Sequence, residues 1–389
     1  MADAWVPVST AVLESGFTGV AAVQTAPEGI TPLRLHPDLL RRSPDGLALM
    51  AEFTSGVRLR LVTAADRLRL TAVFTRYVMA HLDHAVSRAE VLAEIDGVVV
   101  DRAVADPTAL VAERKDAPLE RGAAVESMLE LTLGSASEPR EVVLWLPADA
   151  GVRILALEAT AEVVAAPTLT LPRWVHHGSS ISHGGDAADA RSTWPAQAAR
   201  ALGLAGTNLG FGGNAMIDPP VARAIARLDA DVITLSFGIN IVTGDAMRRR
   251  VFGPALHGFL DTVRDAHPEV PIVVISAISC PGFEDLPGPR RLDENGRLTG
   301  TSRPGDAGAL SLSATRDAIA EVLAARTDDP RLFGMDGRDL LGPDDVHHLY
   351  DGLHPDPAGY DLMARRFVAL ARDPGHPLGR AFLAATPAG

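Results

Sequence analysis

The sequence predicts an α/β protein: a parallel sheet covered by helices on both faces, preceded by an antiparallel β-sandwich of jelly-roll type. Three observations carry that expectation. Residues 1–166 alternate apolar and polar side chains with the period of two that half-buried strands require. From Arg173 onward, short apolar strands alternate with helix-length segments, the rhythm that builds a parallel sheet. Between the two, Pro167–Pro172 reads as a linker and gives domains of 1–166 and 173–389. A chain of 389 residues, 47% of them hydrophobic, is long enough for two separate cores.

In the first domain, Val57–Thr63 (V-R-L-R-L-V-T) and Arg67–Thr71 (R-L-R-L-T) each place apolar residues on one face and polar residues on the other. Further strands are expected at Val91–Asp101, Glu126–Leu133, Glu141–Leu146 and Val152–Val164. Within the first of these, Asp96-Gly97 marks a tight hairpin turn, since both central residues must adopt positive φ. No long helix is expected here, so a sandwich follows. Its role is either structural or that of shaping a substrate or sugar site.

In the second domain, strands are expected at Arg173–His177, Gly206–Leu209, Asp231–Phe237, Pro271–Ala277 and Arg331–Met335. Helices are expected at Trp194–Leu202, Val221–Leu228, Arg248–Ala266, Ser311–Arg326 and, as the last, Ala358–Ala371. Residues 281–305, rich in Gly and Pro, read as a loop.

Composition excludes several classes. Asp+Glu is 49 against 36 Lys+Arg, a net charge of −13, which disfavours nucleic acid as a partner. No apolar run is long enough to span a membrane. The N-terminus lacks the basic start and apolar core of a secretory signal, so a bacterial cytoplasm is the expected location. A single cysteine, Cys280, precludes a disulfide within the chain and a cysteine-based metal site, and it reads as a small buried hydrophobe.

Four segments at strand ends converge on one edge of the expected sheet, where ligands of such sheets bind. The first strand runs into His177-Gly178-Ser179-Ser180-Ile181-Ser182-His183-Gly184, small residues that let a serine sit exposed on a sharp turn ahead of a helix. The second ends in Asn208-Leu209-Gly210-Phe211-Gly212-Gly213-Asn214, and the third in Ser236-Phe237-Gly238-Ile239-Asn240. Asp351-Gly352-Leu353-His354-Pro355 precedes the last helix. A serine hydroxyl needs a base within reach, a histidine supplies one near neutrality, and a carboxylate orients it. Preorganised donors then meet the developing oxyanion.

This ordered set resembles the SGNH or GDSL hydrolases over about Arg173–Arg372. The resemblance implies a three-layer, flavodoxin-like sheet domain with Ser180 as nucleophile, His354 as base and Asp351 as the acid that orients it. It implies an oxyanion hole of the Ser180 N–H, the Gly213 N–H and the Asn240 side chain. The sandwich in front is similar to two-domain members, including sugar deacetylases, and to actinomycete relatives that tailor polyketides by acyl transfer. The implied activity is acyl transfer through an acyl-enzyme, as a carboxylic ester hydrolase. The alternative is an O-acyltransferase moving an acyl or aryl group from a coenzyme A thioester to a hydroxyl of a small natural product. A third reading is a carbohydrate-binding protein with an inactive hydrolase domain, which the intact Ser, Asp and His oppose. No cofactor or metal is implied; acyl-CoA would enter only as a co-substrate, beside a small-molecule ester or thioester and a hydroxyl acceptor. Two positions depart from the family pattern. Ser179 stands where Asp or Asn is usual, in a supporting position. Ile241 stands where Asp usually follows Asn240, a change expected to loosen a hydrogen bond near the oxyanion hole.

Competing motifs fail on context. Gly210–Ala215 fits the G-x-G-x-x-A dinucleotide pattern, but Pro219 and Pro220 follow too soon for the long helix it should open. A G-x-S-x-G elbow would need glycine at Ser182. His176, His177, His183, His347 and His348 match no standard metal-ligand spacing. No glycine-rich phosphate loop precedes Lys115, the sole lysine. Ser179 and Ser182 remain rival nucleophiles.

Overall fold

The computed structural model describes residues 4–79, 89–113, 118–301 and 308–385. Lys115 and the end of the expected 281–305 loop lie outside the described residues. Contacts divide the chain into two units, Met1–Thr170 with Asp189–Arg191, and Leu171–Ala188 with Ser192–Gly389.

The first unit is built from an eight-stranded and a six-stranded sheet. Leu68, Leu70 and Phe74 of strand Arg67–Met79 and Leu131 of Glu126–Thr132 come from the larger sheet. They share one core with Leu59 and Leu61 of Arg58–Thr63 and Leu144 of Arg140–Trp145, from the smaller. These are the apolar positions of the period-two pattern, so the alternation in sequence becomes the inner faces of a sandwich. The hairpin expected at Asp96-Gly97 joins Glu90–Ile95 to Val98–Val104, with φ of 51° and 78° at its two central residues.

Three features differ from the sequence expectation. Val152–Val164 is two strands: Ala150–Ala159 pairs with Arg67–Met79 in the larger sheet, and Val163–Ala165 pairs with Arg58–Thr63 in the smaller. Alternation continues through the corner, so it cannot register a change of sheet. The sheets are not wholly antiparallel, because Arg67–Met79 and Ala109–Glu113 run parallel. Short helices also occur, at Thr10–Gly16, Pro37–Leu40 and Asp45–Glu52. The last is closed by Arg34, which is fully buried and donates to Phe53 O (2.6 Å) and Met50 O (2.5 Å). Burial lowers its pKa to about 9.

The second unit centres on five parallel strands: Arg173–Gly178, Ala205–Gly210, Val232–Ser236, Ile272–Ile275 and Leu332–Met335. In chain order they lie 2-1-3-4-5 across the sheet, so the first strand marks the switch point. Right-handed crossovers then send helices to opposite faces. Pro219–Arg227, Arg249–Ala266 and Leu312–Ala324 pack together, while Pro357–Arg372 packs against both Trp194–Leu202 and Pro377–Ala385. Pro377–Ala385 lies beyond the helix expected to be last, and it buries Leu378 and Ala381. Within 281–301 the chain forms a small hairpin, Arg291–Leu292 with Leu298–Thr299. Among the described residues no helix is long and apolar enough to cross a membrane.

Candidate active site

Four segments at the carboxyl ends of the strands supply the site. The first strand ends at Gly178, and a Cβ there would collide with Ser182 Oγ, so only glycine lets the chain turn this tightly. Ser179 caps the following turn, its hydroxyl accepting from Ile181 N–H at 3.2 Å. A small hydroxyl thus does the supporting work at the position where the family pattern has Asp or Asn. Ser180 opens the helix Ser180–His183, which closes at Gly184 with φ of 74°.

The turn at 351–354 brings His354 to that serine. Ser180 Oγ lies 2.9 Å from His354 Nε2, and His354 Nδ1 lies 2.7 Å from Asp351 Oδ2. The carboxylate can only accept, so Nδ1 carries the proton and Nε2 is left to accept from the serine hydroxyl. Asp351 Oδ1 accepts from the backbone N–H groups of Leu353 (2.9 Å) and His354 (2.7 Å), which fixes the carboxylate. Burial alone would raise the Asp351 carboxyl, but bonds from His354 and the two backbone groups outweigh it and hold the carboxyl below its ordinary value. Burial likewise works to lower His354. Asp351, aided by Asp186, overcomes it and raises the imidazole above its ordinary 6.5.

Three hydrogen-bond donors are unpartnered among the described residues: the backbone N–H of Ser180, that of Gly213, and Asn240 Nδ2. Gly213 has φ of 70°, and a Cβ built on it would meet open space. Its glycine therefore serves the left-handed turn and not a close contact with protein. Asn240 lies on the short helix Ile239–Thr243, entered through Gly238 at φ of 124°. Its residue is 3% exposed, and its Oδ1 accepts from Ala215 N–H at 3.0 Å. A backbone N–H can pair only with the amide oxygen, so the amide nitrogen is the end left to donate. The loosening expected from Ile241 is thereby answered: Ala215 holds the amide, and Ile241 is buried as an apolar residue.

The rival serines are engaged elsewhere. Ser182 Oγ lies 2.7 Å from Nε2 of the buried His176, whose Nδ1 meets Thr234 Oγ1 at 2.7 Å. Ser179 serves as the cap. Asn208 braces the serine turn from the second strand, donating to Ser182 O at 2.8 Å and accepting from Gly210 N–H at 2.9 Å. Sequence reasoning quoted this asparagine but gave it no role. It also missed Tyr350, whose ring stacks on that of His354 with centroids 6.3 Å apart. Asn208 reaches a segment 26 residues away and Tyr350 acts within its own turn, and neither residue type stands out on its own.

The remaining histidines of the sequence analysis have structural partners. His177 Nδ1 faces Leu209 O at 2.7 Å, His183 Nδ1 faces Gly210 O at 3.1 Å, and His348 pairs with Asp356 at 3.2 Å. Among the described residues no three His, Cys, Asp or Glu side chains gather to hold a metal ion. Cys280 is buried, and burial pushes its thiol up, which suits an apolar packing role.

The second unit is thus an α/β domain of flavodoxin-like strand order whose strand ends bring Ser180, His354 and Asp351 into one hydrogen-bonded chain. Residues 177–362 match the model of the GDSL-like lipase/acylhydrolase family, and the second unit carries a domain of that family. No curated protein matches the chain. Among solved structures, a salicylyl-acyltransferase from a tetracycline biosynthetic pathway is similar over 94% of this chain and 96% of its own, at TM-score 0.75 and 25% identity. A GDSL-like lipase from Bacteroides ovatus is similar over 95% and 97%, at 0.66 and 20%. A family two carbohydrate esterase from Clostridium thermocellum is similar over 92% and 98%, at 0.57 and 15%. The chain is accordingly an enzyme of the esterase or acyltransferase kind.

Proposed function

We propose that the chain cleaves a carboxylic ester or thioester through an acyl-enzyme on Ser180, with water as the acceptor. Ser180 Oγ attacks the carbonyl carbon while His354 Nε2 takes its proton. The carbonyl oxygen gains the charge and is met by Ser180 N–H, Gly213 N–H and Asn240 Nδ2. Collapse breaks the bond to the leaving oxygen or sulfur, which receives the proton from His354. Water then attacks the acyl-enzyme, gives its proton to His354, and the acid departs as Ser180 is reprotonated. Asp351 keeps the imidazole in the required tautomer throughout. The observation that carries this reading is the unbroken chain Ser180–His354–Asp351 at 2.9 and 2.7 Å. An inactive carbohydrate-binding role leaves that chain without a purpose.

A second reading, transfer of the acyl group from a coenzyme A thioester to a hydroxyl of a small natural product, is favoured by one observation. The salicylyl-acyltransferase is similar over nearly the whole length of both chains. The same triad serves both outcomes, and exclusion of water with binding of the acceptor selects between them. Incubating the pure protein with aryl and alkyl esters and thioesters, with and without hydroxyl acceptors, tests both readings. Free acid alone identifies an esterase; a new ester that forms only with acceptor present identifies a transferase. Product formation by Ser180→Ala at the wild-type rate would refute both.

A further inference from the structure

Three charged groups act on His354: Asp351, Asp186 and Arg290. Asp351 is bound by His354 and two backbone N–H groups, and Asp186 is engaged as well. Arg290 differs. Its exposed guanidinium makes no hydrogen bond or ion pair among the described residues. Its neighbours in the same loop do: Arg291 donates to Gly300 O at 3.1 Å, and Arg297 to Leu349 O at 2.8 Å.

The backbone that carries this free cation is fixed on both sides of the site. Arg290 N–H donates to Thr243 O at 2.8 Å, at the end of the helix that bears Asn240. Two residues earlier, Gly288 lies so close to Val242 O that no Cβ fits. On the far arm of the hairpin, Leu298 N–H donates to Asp351 O at 2.8 Å. The loop thus ties the asparagine helix to the histidine turn and holds Arg290 at the rim between them.

The chemistry beside His354 sets what such a cation would meet. In serine-dependent acyl transfer, His354 Nε2 returns its proton to the departing oxygen or sulfur, so the leaving group stands next to that histidine. We infer that Arg290 receives a carboxylate or phosphate carried on the leaving group of the acyl donor. A guanidinium fork matches either anion in a bidentate fashion. A chain of net charge −13 repels anionic substrates overall, so one unpaired cation at the site gives them a local place to bind. This inference rests on the acyl-enzyme reading and names the substrate class for the same site.

Two substrate pairs test it, each pair sharing acetyl as the transferred group and differing in the charge of the leaving group. For esters the pair is 4-acetoxybenzoate and its methyl ester. For thioesters it is acetyl-coenzyme A and S-acetyl-N-acetylcysteamine. Wild type, Arg290→Gln and Ser180→Ala are compared by kcat/KM. Arg290→Gln should lower the value roughly 10-fold for the anionic member, as expected for a lost charged hydrogen bond, and leave the neutral member within about twofold. The neutral member doubles as the check that the variant is folded, and whichever pair shows the effect identifies the ester or the thioester source. An equal loss on both members, no loss on either, or wild type accepting only neutral members would overturn the inference. Ser180→Ala acting at wild-type rates would instead bring down the acyl-enzyme reading itself.

Discussion

Two serine–histidine pairs sit two residues apart in one short helix, and they differ in everything except the hydrogen bond. Ser180 meets His354 at 2.9 Å, and Ser182 meets His176 at 2.7 Å. Behind His354 stands a carboxylate; behind His176 stands the hydroxyl of Thr234. The side chain of His354 is 20% exposed, and its pKa is raised. His176 is buried against Trp174 and Trp194, and burial, with the nearby His177, lowers its pKa to about 3. A base must become an imidazolium during attack, and only the carboxylate-backed ring can carry that charge. The contact alone therefore does not make a nucleophile; the group behind the histidine does.

Four experiments would break or sharpen this contrast. The largest effect is expected at the serines. Ser180→Ala should lower kcat roughly 10⁴–10⁶-fold, while Ser182→Ala should lower thermal stability and leave kcat within about 10-fold, because its partner acts as structure. An organophosphonate should label Ser180, read by peptide mass spectrometry; labelling at Ser179 or Ser182 would reverse the assignment. Next comes the oxyanion donor. Asn240→Ala should lower kcat about 10²–10³-fold with little change in KM, since the donor meets charge that exists only in the transition state. Unchanged kcat would remove Asn240 from the site.

The third experiment concerns the buried pair and pH. His176 titrates at about 3 when folded and at the ordinary 6.5 when unfolded. Below 6.5 the unfolded chain therefore binds a proton that the folded chain refuses, so stability falls as pH drops from 6.5 towards 3. Replacing the ring with a non-titrating group, as in His176→Asn, should flatten Tm against pH across that window. An unaltered slope would show that the ring is not held neutral.

The smallest effect is expected on the reactive pair. His354 acts as a base only when neutral, and its pKa is raised above 6.5, so kcat/KM should fall as pH drops through a midpoint above 6.5. Asp186→Asn removes one negative charge that favours the imidazolium, and the midpoint should move to lower pH. A midpoint that stays in place would remove Asp186 from the electrostatics of the site.

The site was more legible in the sequence than the sandwich was. Ser180, Asp351, His354 and the two glycine-rich strand ends declare themselves because their types and order are unusual together. Asn208 and Tyr350 did not: Asn208 acts through Ser182 O, 26 residues away, and Tyr350 stacks on His354 within one turn whose shape the residue types alone do not declare. The resemblance ranked Ser180 with His354 ahead of Ser182, but the pairing of Ser182 with His176 was not legible in the sequence. His176 and Ser182 are six residues apart, while Ser180 and His354 are separated by 174.

The sequence by itself determined the five parallel strands of the second unit and the long strands of the first, because strand periodicity and burial are local properties, but it did not declare Ala22–Ala26, Gly29–Leu33 or Ala109–Glu113. It determined the hairpin at Asp96-Gly97, because positive φ is a property of residue type. It also placed the four chemical segments at strand ends, because a parallel βαβ rhythm puts every such loop at one edge. Only the tertiary structure decided which strand joins which sheet at Thr160–Glu162, since alternation does not know its partner. It decided the parallel pairing of Arg67–Met79 with Ala109–Glu113 for the same reason. Above all, it decided that Ser180 faces an aspartate-backed histidine while Ser182 faces a buried one. Burial and charge are properties of the surroundings, and in this molecule those surroundings come from segments far away along the chain.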